Sequence, residues 1–170
     1  MSPQRRGVAQ GMAAGMLVAV VALAIGLNTG AIGAPTETLG AAVAILGLWV
    51  AATIGNVARL RFFAPDAIDA IDAAIGGGDP PAIRIAQAVS QNTLEQAVIA
   101  GFAYAALTLV AGSAGAIALL VGCFSVGRVL FWTGYARGAA ARAFGFALTF
   151  YPSVLALLVV LGRMVIARVG

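Results

Sequence analysis

Few side chains in this sequence could do chemistry, and most of them gather around one helix. The stretch Ser90-Gln91-Asn92-Thr93-Leu94-Glu95 is polar inside a run, Ile83 to about Val110, that otherwise reads as membrane-spanning. After Glu95 no Asp, Glu, Lys or Arg occurs until Arg128. A carboxylate at that depth is costly without a partner, which makes it a functional-site candidate by default. Arg128 is the expected partner, so the sequence suggests a Glu95–Arg128 ion pair between neighbouring helices. By 3.6-residue periodicity Arg84, Ala88, Gln91, Asn92 and Glu95 share one helix face, and Arg128, Phe131, Trp132 and Tyr135 share another. Arg59 and Arg61 end the preceding helix, with Asn56 within reach, and Arg142 opens the last one. Together they predict a cationic, partly buried cup with a carboxylate, an amide pair and a phenol, suited to an anionic ligand. A salt bridge that only fixes helix register is the structural alternative, and physics alone does not choose between them.

The residue types that are missing exclude whole classes of chemistry. All 10 basic residues are Arg, and there is no His. Arg grips carboxylates in a planar fork but cannot serve as a general base at neutral pH. Without His, the commonest acid–base catalyst and transition-metal ligand is absent. Cys123 is the sole cysteine, so neither an intrachain disulfide nor a cysteine metal cluster can form. Between Gly122 and Phe124 in a spanning helix, it reads as a small apolar packing residue. Asp66, Asp69 and Asp72, with Ile68, Ile71 and Ile75 opposite, predict a short amphipathic helix at the membrane surface rather than a cation site. No metal is expected. The net charge of +4 is spread over helix ends, which fits membrane topology and not a nucleic-acid partner.

The elements that must position these groups are set by the bilayer. The chain is 62% hydrophobic and only 9% charged over 170 residues, with mean hydropathy +1.02. Soluble domains carry about 25% charged residues. A span needs about 20 apolar residues, and the sequence offers five. The first runs from about Val8 to Leu27, too long for the apolar region of a signal peptide, which is the competing reading. The second runs from Thr38 to about Arg61. The third follows Gly76-Gly77-Gly78-Asp79-Pro80-Pro81, with Asp79 expected as N-cap. Gly112-Ser113-Ala114-Gly115 separates it from a fourth, ending near Tyr135, and the fifth covers about Ala143 to Gly162. In the fifth, Ser153 is expected to bond to backbone freed by Pro152. With the N-terminus inside, Arg5, Arg6, Arg59, Arg61, Arg84, Arg128, Arg137 and Arg142 are cytoplasmic and only Arg163 and Arg168 external, as the positive-inside rule requires. The expected class is an all-α integral membrane protein, in contact with lipid, with its N-terminus in the cytoplasm. Its many Gly and Ala residues suit close helix packing.

Five motifs stand in order along the chain: Arg59-Leu60-Arg61, Gln91-Asn92-Thr93-Leu94-Glu95 with Gly101-Phe102-Ala103-Tyr104, Gly127-Arg128-Val129, Gly134-Tyr135-Ala136-Arg137-Gly138, and Arg142-Ala143-Phe144-Gly145-Phe146. They resemble those of bacterial-type members of the MAPEG family, the membrane-associated proteins in eicosanoid and glutathione metabolism, which implies a bacterial inner-membrane location. Each is short, and their order and spacing carry the likeness, from about Leu39 to Met164. It implies a four-helix membrane domain over residues 38–170, preceded by an additional transmembrane helix in residues 1–37. It also implies a homotrimer with sites between neighbouring subunits, at which glutathione attacks a lipophilic acceptor as in a transferase or peroxidase. Carried over by motif, Arg59, Asn92, Glu95, Tyr135 and Arg142 match glutathione-contacting positions, and Arg128 matches a core arginine. Arg142 would stabilise the thiolate, and Tyr135 could add a hydrogen bond to the sulfur. The chain departs from the pattern at Gln91, where many members are basic, at Phe131, which is His in some, and at Ala143 in place of a hydroxyl. Fewer donors imply weaker hold on a tripeptide, each charged hydrogen bond contributing about 1.5–3 kcal/mol, so another thiol is the alternative to glutathione. A non-catalytic lipid-binding or scaffolding subunit, meeting another membrane protein through the first helix, is the alternative. A small transporter is a weaker third reading, because the charges gather at one side.

Overall fold

Three of the helices start on proline, whose fixed φ and missing N–H suit the first helical position. Helix α1 is Pro3–Asn28, α2 is Pro35–Phe62 and α3 is Pro81–Ala106. The fourth, α4, is Ala114–Tyr135, and α5 is Ala139–Val169. This computed structural model describes residues 1–29, 33–64 and 79–169. The aspartate-repeat helix expected around Asp66, Asp69 and Asp72 lies outside the described residues. Among those described, five helices are long and apolar enough to cross a membrane, with α3 extended to Ala111. All but α4 exceed the spans expected from the sequence at one or both ends, most of all α5, where basic flanks continue the helix past its apolar body.

Local chemistry sets the joints. Ser2 caps α1 by accepting from the Arg5 N–H at 3.4 Å. The last turn of α3 widens into a π-helical segment, Leu107–Ala111, and stops at Gly112, whose φ of 58° is left-handed. Ser113 then caps α4, accepting from the Ala116 N–H, and also donates to the Gly26 carbonyl of α1 at 3.1 Å. Asp79 is not the cap of α3. Its Oδ2 accepts from Gln87 Nε2 at 2.8 Å and pairs with Arg61 at 3.5 Å, and Pro80 occupies the cap position without a side-chain bond. A carboxylate with an amide and a guanidinium in reach gains more from charge-assisted bonds than from a backbone cap. In α5 the Ser153 hydroxyl does bond to backbone, at Thr149 O. The carbonyl that Pro152 deprives of its amide partner belongs to Leu148, one residue earlier.

Consecutive helices run antiparallel, and α5 lies between α1 and α4 while α2 packs on α3 and α4. The shared core draws on Leu23, Leu46, Tyr104, Ile117, Leu120, Phe124 and Ala156. Trp49 Nε1 bonds to Ser125 Oγ at 3.2 Å and ties α2 to α4. Close approach relies on small residues, as in membrane bundles generally. A Cβ built on Gly145 would stand 2.5 Å from Phe131 N, and one on Gly134 2.6 Å from the Ala141 carbonyl. Nothing bulkier than glycine lets α4 and α5 touch there, and that contact brings Phe131 and Tyr135 beside Arg142 and Phe146. Helix α1 uses the same device in parallel orientation. Gly7 faces Ala140, Gly11 faces Ala143 and the Phe144 backbone, and Gly15 faces Ala147. The order of these contacts places Arg5, Arg6, Arg59, Arg61, Arg84, Arg137 and Arg142 at one end of the bundle and Arg163 and Arg168 at the other.

Candidate functional site

The buried anchor of the arginine-rich end is Arg128, 1% exposed and therefore well inside the bundle rather than at its rim. Its Nη1 donates to Asn92 Oδ1 at 2.9 Å, and its Nη2 donates to Thr149 Oγ1 at 2.6 Å. Thr149 in turn donates to the Phe146 carbonyl at 2.8 Å, so the hydroxyl is used as both acceptor and donor. The guanidinium also lies 4.6 Å from the centre of the Phe131 ring and 5.7 Å from that of Phe124. Rings and hydrogen-bond acceptors replace the expected carboxylate as Arg128's surroundings, which lessens the cost of burying a cation. Glu95 does not pair with Arg128. It is exposed and accepts from Gln91 Nε2 one turn away at 3.0 Å. Asn92, closer to the helix's inner side, holds the place that the sequence suggested for Glu95.

Arg128 thereby fixes the amide of Asn92. With Oδ1 committed inward, the NH2 group is the end left to donate to a ligand. A cavity of about 380 Å³ opens beside it, lined by Val8, Met12, Ala88, Asn92, Phe131, Tyr135, Ala139, Arg142, Ala143 and Phe146. That volume is at the lower end of the roughly 300–1,000 Å³ usual for ligand sites. The Arg142 guanidinium is stacked over the Tyr135 ring at 4.0 Å. Tyr135 meets Phe131 edge to face at 5.4 Å. Arg142, Tyr135, Phe131 and Arg128 thus form a stack from the rim to the interior, two rings held between two cations. The arrangement offers fixed N–H and O–H donors to an anion or thiolate and an apolar remainder to a lipophilic group.

The structure brings together Asn92, Arg128, Tyr135 and Arg142 from the residues expected by sequence. It does not bring the rest into this cavity within one chain. Arg59 is exposed on α2 and its Nη2 bonds to Asn56 Oδ1 at 3.0 Å, so Asn56 serves its own helix rather than the cup. Arg84 is exposed. Gln91 lines a separate cleft of about 540 Å³ between α2 and α3, with Arg61, Gln87, Ser90 and apolar neighbours. Glu95 stands on the ridge of α3 between the two cavities. Periodicity grouped these residues on a broad helix face, and the packing of α2 on one flank and α5 on the other divides that face.

Thr149, Val8 and Met12 are not expected at the site from the sequence, and Phe146 is named there only as part of a motif. Thr149 is one of three hydroxyl residues in an apolar helix, with Tyr151 and Ser153, and nothing in its spacing links it to Arg128. The signal for Val8 and Met12 was present in Gly7, Gly11 and Gly15, a four-residue repeat that marks a close helix contact without naming the partner.

No curated protein and no solved structure matches the sequence. The model of the MAPEG family does match, over residues 11–163. That stretch begins within α1, well before the Leu39 boundary drawn from the motifs, and includes at least part of every helix around the cavity. The chain is a multi-pass membrane protein that belongs to the MAPEG family.

Proposed function

We propose that this protein is a membrane-embedded thiol transferase or peroxidase that joins glutathione to, or uses it to reduce, lipophilic electrophiles. The observation that carries this reading is the convergence of Asn92, Tyr135 and Arg142 from three helices on one otherwise apolar cavity. Glutathione supplies the nucleophilic sulfur. Arg142 holds that sulfur as thiolate, because an adjacent guanidinium favours the ionised form. Its stacking on Tyr135 fixes the guanidinium plane, and the Tyr135 hydroxyl donates a hydrogen bond to the same sulfur. Asn92, oriented by Arg128, donates to a carboxylate of the tripeptide. The apolar walls hold the acceptor against the sulfur, so that binding supplies proximity.

The remaining positions fit if the protein is a homotrimer whose sites lie between copies. Arg59 and Arg61 are on the flank of the molecule opposite α5, and a neighbouring copy would present them to the mouth of the cavity. The arginine-rich end is then cytoplasmic, in keeping with the positive-inside rule. A non-catalytic lipid-binding role is favoured by one feature, the predominance of apolar side chains in the cavity. Calorimetry on detergent-purified protein separates the two. Saturable glutathione binding is expected, weakened about tenfold or more in Arg142→Ala and in Asn92→Ala, since hydrogen bonds to charged groups contribute about 1.5–3 kcal/mol. Absence of binding at millimolar glutathione would overturn the glutathione reading and leave another thiol or the lipid role.

A further inference from the structure

We infer that α1 is the acceptor-side wall of the cavity and that Met12 is a specificity-determining residue that limits the lipophilic group admitted. This rests on the thiol-transfer reading of the same site. The polar groups that face the cavity come from α3, α4 and α5, whereas α1 contributes only Val8 and Met12. A ligand with its sulfur and carboxylates at Arg142, Tyr135 and Asn92 therefore meets α1 with its apolar part. A second cavity, of about 420 Å³, adjoins the first at Val8 and Ala139 on the chain-start side of α1, where its walls also include Gln4 and Arg5. An alkyl chain beside Met12 therefore has apolar wall at Val8 and meets polar groups beyond it.

The wall cannot simply withdraw. A Cβ at Gly11 would stand 2.9 Å from Phe144 N and 3.0 Å from the Ala143 Cβ, and one at Gly7 would stand 2.9 Å from the Ala140 Cβ. With the backbones in contact on both sides of Val8, the free volume next to Arg142 depends on side chains rather than on helix position. Met12 is the longest of them on this wall. An unbranched thioether adapts to the shape of its neighbour, which suits a site that takes acceptors of varied form.

The test is calorimetry with glutathione and with S-alkyl glutathiones from methyl to octyl, in which the alkyl group stands in for the acceptor. Wild type, Met12→Ala, Met12→Trp and Leu17→Trp are compared, Leu17 being an exposed position of α1 away from the cavity. Affinity is expected to rise with chain length and then level off. The levelling point moves to shorter chains in Met12→Trp and to longer chains in Met12→Ala, while Leu17→Trp follows wild type. For the octyl ligand Met12→Trp is expected to cost about tenfold, or about 1.4 kcal/mol, with less than about twofold change for glutathione. Opposite shifts in the two Met12 variants are not what general loosening of the fold produces. If the alkyl series binds wild type and the levelling point stays fixed in both variants, the role of Met12 is overturned and the thiol site stands. If no member of the series binds wild type, the glutathione reading falls and the inference falls with it.

Discussion

Arg128 shows how a cation is accommodated in an apolar bundle by geometry rather than by charge neutralisation. Its two terminal nitrogens each have one neutral oxygen partner, on Asn92 and Thr149, while Nε has no hydrogen-bond partner among the described residues. Removing either oxygen leaves a buried N–H without its acceptor. Thr149 does not line the cavity, so Thr149→Val isolates that effect from ligand contact. A loss of about 1–3 kcal/mol is expected, the usual cost of leaving a buried polar group unpaired. A lowered unfolding midpoint in detergent reads it, and an unchanged midpoint would remove Thr149 from the support of Arg128. This network also explains which site residues were legible in the sequence. Asn92, Tyr135 and Arg142 stand in recognisable motifs, and the structure places them around one cavity. Arg128's partners were not legible, because charge counting pointed to Glu95. Helical spacing cannot tell which of Asn92 and Glu95, three residues apart, turns inward.

At the scale of elements, the same residue type has opposite meanings in α1 and α2. Gly15 is buried with its α-carbon against Ala147, where a Cβ meets both a methyl group and backbone. Gly47, in the middle of α2, has open space around it. Gly15→Ala is therefore expected to lower the unfolding midpoint, since α1 must lift off α5 to make room. Gly47→Ala is expected to hold or raise it, because alanine is favoured over glycine inside a helix by about 1 kcal/mol. Equal effects at the two positions would mean that the α1–α5 contact adds little to stability. The number and order of spans were legible from apolar length alone. The partner of α1 was not, because a glycine repeat fixes how closely a neighbour approaches and says nothing of which helix it is. Asp79 is a comparable case, since the local cap rule was overridden by the tertiary contact with Arg61 and Gln87.

For the whole molecule, five spans place the two ends of the chain on opposite sides of the membrane, and the arginine-rich end is expected inside. Cysteines introduced at Ser2 or Arg168 in a Cys123→Ala background test this with a membrane-impermeant thiol reagent on intact cells. Labelling is expected at the C-terminal position only, and the reverse pattern would invert the orientation.

The division of the polar residues between two flanks leads to a sharper expectation about assembly. In one chain α2 and α5 stand on opposite sides of α3 and α4, so Arg59 has no route to the cavity beside Arg142. If Arg59 acts in catalysis, a neighbouring copy must supply it, through a head-to-tail contact that closes into a ring. Arg59→Ala and Arg142→Ala would then each lower conjugating activity alone but damage different halves of a shared site. When the two variants are co-expressed equally and assemble at random, roughly one quarter of the sites receive intact halves from both neighbours, because each half is sound in half of the copies. Recovery of activity toward that fraction is expected in the mixture, and a double variant carrying both changes on one chain should show none. A mixture no more active than the two variants measured separately would mean that each chain builds its site alone. Arg59 would then be a rim residue whose likeness to the family pattern reflects its place at a helix end.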